Sequence, residues 1–243
     1  MVFCVSIKLI VSLTIIIDSL RRHYLLKFLI INVITLKESI SNMKKKLRLP
    51  PLERQEQLEK FIVKAVAQRG ISRVTHSHVA ELAKVSVSTV HFYFKRRQDL
   101  VASATKQVED YLIDIFTENL EQDSVTDALT DLAEAFLQGG YENPDLIKVW
   151  LDWSVSIREK VWKDYQRLQE ELHRRVRKVL TRAKREKVLP KDFDTLAATR
   201  FYIGTGHTLQ LMIFDGRSRG EILKAQNALM RAVFLDNYPG KSS

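Results

Sequence analysis

Between Val85 and Leu100 the chain reads Val-Ser-Val-Ser-Thr-Val-His-Phe-Tyr-Phe-Lys-Arg-Arg-Gln-Asp-Leu. Hydroxyl residues come first, aromatics follow, and three consecutive cations come next. Small hydroxyls at a helix start can approach base edges, and cations after them suit phosphate oxygens. Just upstream, residues 75–83 read as a short helix capped by Thr75 or Ser77, with Val79, Leu82 and Ala83 on its apolar face. Lys84 and Val85 then make a tight turn, and Ser86 is a second N-cap. Two short helices joined in this way form a helix-turn-helix, whose second helix enters the major groove of double-stranded DNA. Ser86, Ser88, Thr89 and His91 then lie along the exposed side or start of that helix, while Val87 and Val90 pack. Thr75 and Ser77 can donate to phosphate at their own helix start. A plain N-cap accounts for each Ser or Thr as well, and for Ser86 the two roles are compatible.

Catalytic chemistry is not represented. There is no Gly-rich phosphate loop, no nucleophile elbow and no supported pair of carboxylates, so no enzymatic activity is expected. His76 and His78 stand two apart at a helix start and point in different directions, so a shared metal ion is not expected. Cys4 is the only cysteine, which rules out a disulfide within one chain and a cysteine-based zinc site. Neither metal nor cofactor is expected, and a lone cysteine fits a reducing cytoplasm. The expected location is therefore cytoplasmic, on the nucleoid.

The chain has 243 residues and a formal charge of +10, distributed unevenly. Residues 44–97 hold thirteen Lys/Arg against four Asp/Glu, whereas residues 98–243 hold twenty-one against twenty-three. The basic excess thus sits on the helix-turn-helix, as expected of a nucleic-acid reader joined to a body with other duties. The expected division is an extension over 1–43, a DNA-binding domain over 44–97 and a helical sensing and dimerisation domain over 98–243.

Residues 1–42 differ from the rest. They contain nine Ile and no Ala, Gly or Pro, while fifteen Ala follow from residue 43 onward. Ala, Gly and Pro have GC-rich codons, so this bias is what translated AT-rich upstream DNA would give. The expectation is a misassigned start, with Met43 as the true one. Apolar runs at residues 9–17 and 25–36 are too short to span a bilayer, and Lys27 interrupts the second, so a membrane partner is not expected.

Helical spacing recurs along the body. Residues 52–69 form a first helix and residues 97–119 a long one. Residues 124–138 form another, ended by Gly139-Gly140, and a helix starts after Asn143-Pro144. A long charged helix covers residues 156–187, one capped by Asp192 or Asp194 runs to Phe214, and the last runs from Ser218 to about Tyr238. No alternating strand pattern occurs, so the fold class is all-α with about nine helices. The last two helices carry apolar residues all round. These are Phe201, Tyr202, Leu209, Met212, Ile213 and Phe214 on one, and Leu223, Leu229, Met230, Val233 and Phe234 on the other. One monomer core is not expected to hide them, and a homodimer built as a four-helix bundle would.

The helix-turn-helix, its aromatic cluster, the basic turn and Asp99-Leu100 together resemble the TetR family of transcriptional regulators. Residues 61–70, Phe-Ile-Val-Lys-Ala-Val-Ala-Gln-Arg-Gly, are similar to that family's first helix. Residues 149–162, Val-Trp-Leu-Asp-Trp-Ser-Val-Ser-Ile-Arg-Glu-Lys-Val-Trp, closely resemble the Trp-rich block of the HapR/LuxR/SmcR-type quorum-sensing master regulators. The resemblance covers about residues 44–238. It implies a homodimer through the last two helices and a TetR-like helical fold. It makes Tyr93 a phosphate contact flanked by Lys95 and Arg97. It also implies a basic arm in the minor groove, where Lys46-Leu47-Arg48-Leu49 stands for the subgroup's Arg-x-Arg-Leu; Lys46 and Arg48 would be its contacts, Arg48 the better suited. Where the subgroup has Val-Phe-Asn-Tyr-Phe, this chain has Val90-His91-Phe92-Tyr93-Phe94. An Asn able to read a base is replaced by Phe92, which can touch a thymine methyl or only pack. The resemblance further implies a cavity for a small amphipathic ligand among the middle helices. Trp150 is its foremost candidate, followed by Phe136, Trp153, Tyr165, Gln169 and His173. Aromatics at helical spacing are also what an ordinary core contains.

Overall fold

The computed structural model describes residues 49–122 and 124–232, and all regular structure among them is helical. The described residues from Gln55 onward belong to one compact unit. The expectations for residues 1–43, for Lys46 and Arg48, and for the last helix beyond residue 232 lie outside the described residues.

Helix α1 is Pro51–Arg69, with Leu58, Ile62, Val63, Ala65 and Val66 buried at helical spacing. Gly70, at φ +83°, ends it in the left-handed region that a Cβ disfavours. Helix α2 is His76–Ala83, and Thr75 is its cap. The Thr75 hydroxyl accepts from the His78 amide at 3.4 Å, and the Thr75 amide donates to His78 Nδ1 at 3.2 Å. His78 thus takes the place that Glu or Gln usually fills in a capping box. Lys84 follows in the left-handed region at φ 53°, which turns the chain sharply toward α3, Val87–Tyr93. Ser86 caps α3 by accepting from the Thr89 amide at 3.1 Å.

Helix α4, Arg97–Leu120, leaves the reader and enters the body with Leu100, Ala104, Val108, Leu112, Ile115 and Phe116 buried. Helices α5 (Val125–Glu142), α6 (Pro144–Val155) and α7 (Trp162–Arg185) pack against it, α8 (Thr195–Phe214) packs on α5 and α7, and α9 (Arg219–Arg231) closes on α8. One continuous core runs from Leu58 and Val90 through Leu112 and Leu132 to Trp153 and Leu180. A smaller core of Leu137, Leu209 and Ile222 lies beneath α9. Each such Leu or Ile removed from water contributes about 1.5–3 kcal/mol before chain entropy is counted.

Two boundaries and one packing face differ from the sequence reading. Helix α5 does not stop at Gly139-Gly140 but continues through both to Glu142. A Cβ on Gly139 would strike the Tyr111 hydroxyl, and one on Gly140 would strike the Gln210 side chain. These glycines admit neighbours and end nothing. The long charged helix starts at Trp162, because residues 156–161 form turns held by Trp153 Nε1 donating to the Val161 carbonyl at 2.9 Å. Finally, Tyr202 and Leu209 face inward, and the Tyr202 hydroxyl donates to the Leu129 carbonyl at 2.6 Å. The outward apolar residues of α8 are Leu196, Phe201, Leu211 and Phe214, joined by Leu223 of α9.

Candidate nucleic-acid interface and sensory cavity

The first site is built on α3. Val90 is fully buried and fixes the helix to the core, which turns Ser86, Ser88, His91 and Phe92 to solvent and leaves Thr89 half-buried. The Ser86 hydroxyl lies 2.8 Å from both the Ser88 and Thr89 hydroxyls, so three small polar groups meet at one helix start. Val87, expected to pack, is exposed and belongs to the same surface. Phe92 is 68% exposed, and Lys95 Nζ lies 5.3 Å from its ring centroid. Tyr93 is half-buried and meets the Phe92 ring edge-on at 5.1 Å. Thr75 and Ser77 are exposed at the start of α2. Among the described residues no group of three His, Cys, Asp or Glu could hold a metal ion.

Arg97, expected to flank a phosphate backbone, also has partners within the protein. Its Nη1 donates to the Ile71 carbonyl at 2.6 Å, and its Nη2 lies 3.4 Å from Glu159 Oε2. Ile71 also donates its own N–H to Asp152 Oδ2 at 2.6 Å. Both backbone polar groups of one residue between α1 and α2 are therefore held by charged groups, one from α6 and one from the start of α4. Charge-assisted bonds of this kind contribute about 1.5–3 kcal/mol each. They tie the segment between α1 and α2 to α6 and to the start of α4. Sequence could not reveal this, because Asp152 finds its donor 81 residues away. At the turn beside α3 the exposed cations are Lys95 and Arg96, and Asp99 accepts from both the amide and the guanidinium of Arg96. Those contacts hold the Asp99 carboxyl below its ordinary value.

The second site is a cavity of about 50 Å³ enclosed by α4 to α9. Leu112, Leu132, Phe136, Trp150, Ile203, Leu209, Gln226 and Met230 are among its walls. Of the residues picked from sequence, Trp150 and Phe136 line it, their rings edge-on at 5.2 Å. Trp153, Tyr165, Gln169 and His173 do not. Trp153 packs on Tyr165 with centroids 5.6 Å apart, and His173 Nδ1 donates to the Gln169 carbonyl at 2.6 Å. Trp150 Nε1 and Gln226 Oε1 are buried and have no hydrogen-bond partner among the described residues, and Gln210 Oε1 is in the same condition. Each such group stands against the fold by about 1–3 kcal/mol. No Lys, Arg, Asp or Glu faces the cavity.

His207 supports Trp150 from behind, with ring centroids 3.9 Å apart, and its Nε2 lies 3.4 Å from the Tyr165 hydroxyl. Burial lowers the pKa of His207 below its ordinary value of 6.5 and raises that of Tyr165 to about 12. The consequence for stability has a definite sign. Below pH 6.5 the unfolded chain binds a proton that the folded chain refuses, so stability falls as the pH drops. The thermal midpoint is expected to decline from pH 6.5 toward pH 5 more steeply in the wild type than in His207→Phe. Parallel declines would remove His207 as the cause.

Residues 62–104, from α1 into α4, match the family described as bacterial regulatory proteins, tetR family. The HTH-type transcriptional regulator LuxR of Vibrio harveyi is 34% identical over 116 residues, 47% of this chain and 57% of that protein. The match thus spans little more than half the length of that regulator. A TetR transcription regulator from Haloarcula marismortui superposes with a TM-score of 0.63 at 19% identity, over 74% of this chain and 96% of its own. FadR from Bacillus subtilis, solved with stearoyl-CoA, does so at 0.63 and 14%, over 75% and 99%. At those identities the likeness is one of fold.

Proposed function

We propose that this chain, a member of the TetR family of bacterial regulatory proteins, binds pseudo-palindromic DNA as a homodimer and regulates transcription in response to cell density. The observation that carries the reading is the surface of α3. Ser86, Ser88, Thr89, His91 and Phe92 present small polar and apolar groups suited to base edges, and Lys95 and Arg96 stand beside them for phosphate. Tyr93, Thr75 and Ser77 add contacts that position the reader without reading sequence, while Arg97 holds its orientation through Ile71. The density-dependent part rests on the 34% identity to LuxR. Phe201, 61% exposed, and Leu211, 57% exposed, give α8 an apolar outer face that a second copy would cover. None of the described helices is long and apolar enough to cross a membrane. The nucleoid is the working place that DNA binding implies.

A second reading is favoured by the cavity: a local repressor released by a small ligand. An uncharged, largely apolar molecule fits those walls, offering an acceptor to Trp150 Nε1 and a donor to Gln226 Oε1. Chromatin immunoprecipitation at low and high cell density separates the two readings. Many pseudo-palindromic sites, occupied mainly at high density, are expected. A single site beside the protein's own gene, occupied at every density, would leave the local repressor instead.

A further inference from the structure

His76 is the first residue of α2, yet it is only 9% exposed. Two contacts account for its burial. Its Nε2 lies 2.7 Å from the Phe94 carbonyl oxygen, which can only accept, so Nε2 carries the proton and donates. That carbonyl ends α3, where helix carbonyls lack internal partners and draw donors. The second contact is a stack: the rings of His76 and His91 lie 3.7 Å apart between centroids and 12° from parallel. His91 is itself exposed, on the surface that carries Ser88 and Phe92.

We infer that His76 is a positioning residue for DNA recognition, a fixed platform that holds the His91 imidazole in one orientation for reading a base. The inference rests on α3 being the DNA-reading helix. An exposed imidazole ordinarily samples several rotamers, and fixing a free side chain on binding weakens the contact it makes. Here one face of the ring is already covered by a partner that is buried and bonded to the backbone. His91 meets the groove with its free face and its edge nitrogens, which suit the acceptors and donors of a base pair. The platform comes from α2 and the reader from α3, so the turn through Lys84 sets how they meet.

The two contacts of His76 can be separated. His76→Phe keeps a flat ring for stacking and loses the bond to Phe94. His76→Gln keeps a donor for Phe94 and loses the stack. The experiment selects operators from a randomised DNA pool with wild type, each variant, His91→Ala and the His76→Gln/His91→Ala double variant, alongside their melting curves. His91→Ala is expected to lose its preference at one base pair of each half-site, by roughly 5- to 100-fold. His76→Gln should lose preference at that same base pair, the double variant should lose no more, and His76→Phe should retain it whatever its melting temperature. The inference is overturned if His76→Gln weakens all sequences alike and keeps the profile, since His76 then serves folding alone. An unchanged profile for His91→Ala overturns it too, with DNA recognition by the other α3 residues intact. If the wild type enriches no sequence at all, what fails is the DNA-reading function, along with everything built on it.

Discussion

Asp152→Ala is expected to lower the free energy of unfolding by about 2 kcal/mol and to weaken operator binding tenfold or more. Its carboxylate is the acceptor for the Ile71 amide at 2.6 Å, and Arg97 holds the carbonyl of the same residue. Removing the carboxylate leaves a half-buried N–H without its partner and frees one of two fastenings of the segment between α1 and α2. The apparent affinity then falls by the fraction of time the reader spends out of its binding pose, and 2 kcal/mol permits a factor of about 30. Asn at the same position keeps an acceptor oxygen and loses only the charge, so Asp152→Asn should show a smaller deficit in both quantities. Urea unfolding and a DNA titration at fixed salt measure the pair. A destabilised Asp152→Ala protein with wild-type affinity would show that the fastening serves folding and not recognition.

At Trp150 the expected results diverge sharply with the substitution. Trp150→Ala should cost about 3–5 kcal/mol, since the ring is 2% exposed and packs on Phe136 and His207. Trp150→Phe should stay within about 1.5 kcal/mol of the wild type. It keeps an aromatic ring against both neighbours and deletes the unpartnered Nε1–H, so lost contact and relieved burial offset each other. Denaturant melts of the two variants give the comparison directly. If Phe is as damaging as Ala, the indole N–H is not an uncompensated group, and its proposed use as a donor to a ligand goes with it.

The fold was legible where its information is local. The apolar spacing of α1 and α4, the Ser86 cap of α3 and the Asp194 cap of α8 all act within a few residues of themselves, and sequence shows them. Gly139 and Gly140 misled because a glycine pair has the same appearance whether it ends a helix or admits a neighbour. Only the positions of Tyr111 and Gln210 distinguish the two. Within the candidate site the exposed row of α3 was legible for the same local reason. The fastening of Ile71 by Asp152 and Arg97, the platform under His91 and the orphaned Gln226 were not, because each joins elements distant in the chain. Tyr165 and His173 were misplaced as cavity residues through a related limit. Periodicity tells which face of a helix is inside, but not whether that inside is filled or hollow.

The buried glycines of α5 also constrain how this protein can change over generations. Gly139 lies under the Tyr111 hydroxyl and Gly140 under the Gln210 side chain, whose Nε2 donates to the Phe136 carbonyl at 2.6 Å. A side chain at either position requires the residue above it to shift or to become smaller. A smaller residue there, with glycine still beneath, opens a void that carries its own penalty. Single substitutions at the pair or at the residues above it are therefore expected to lower stability, whichever comes first.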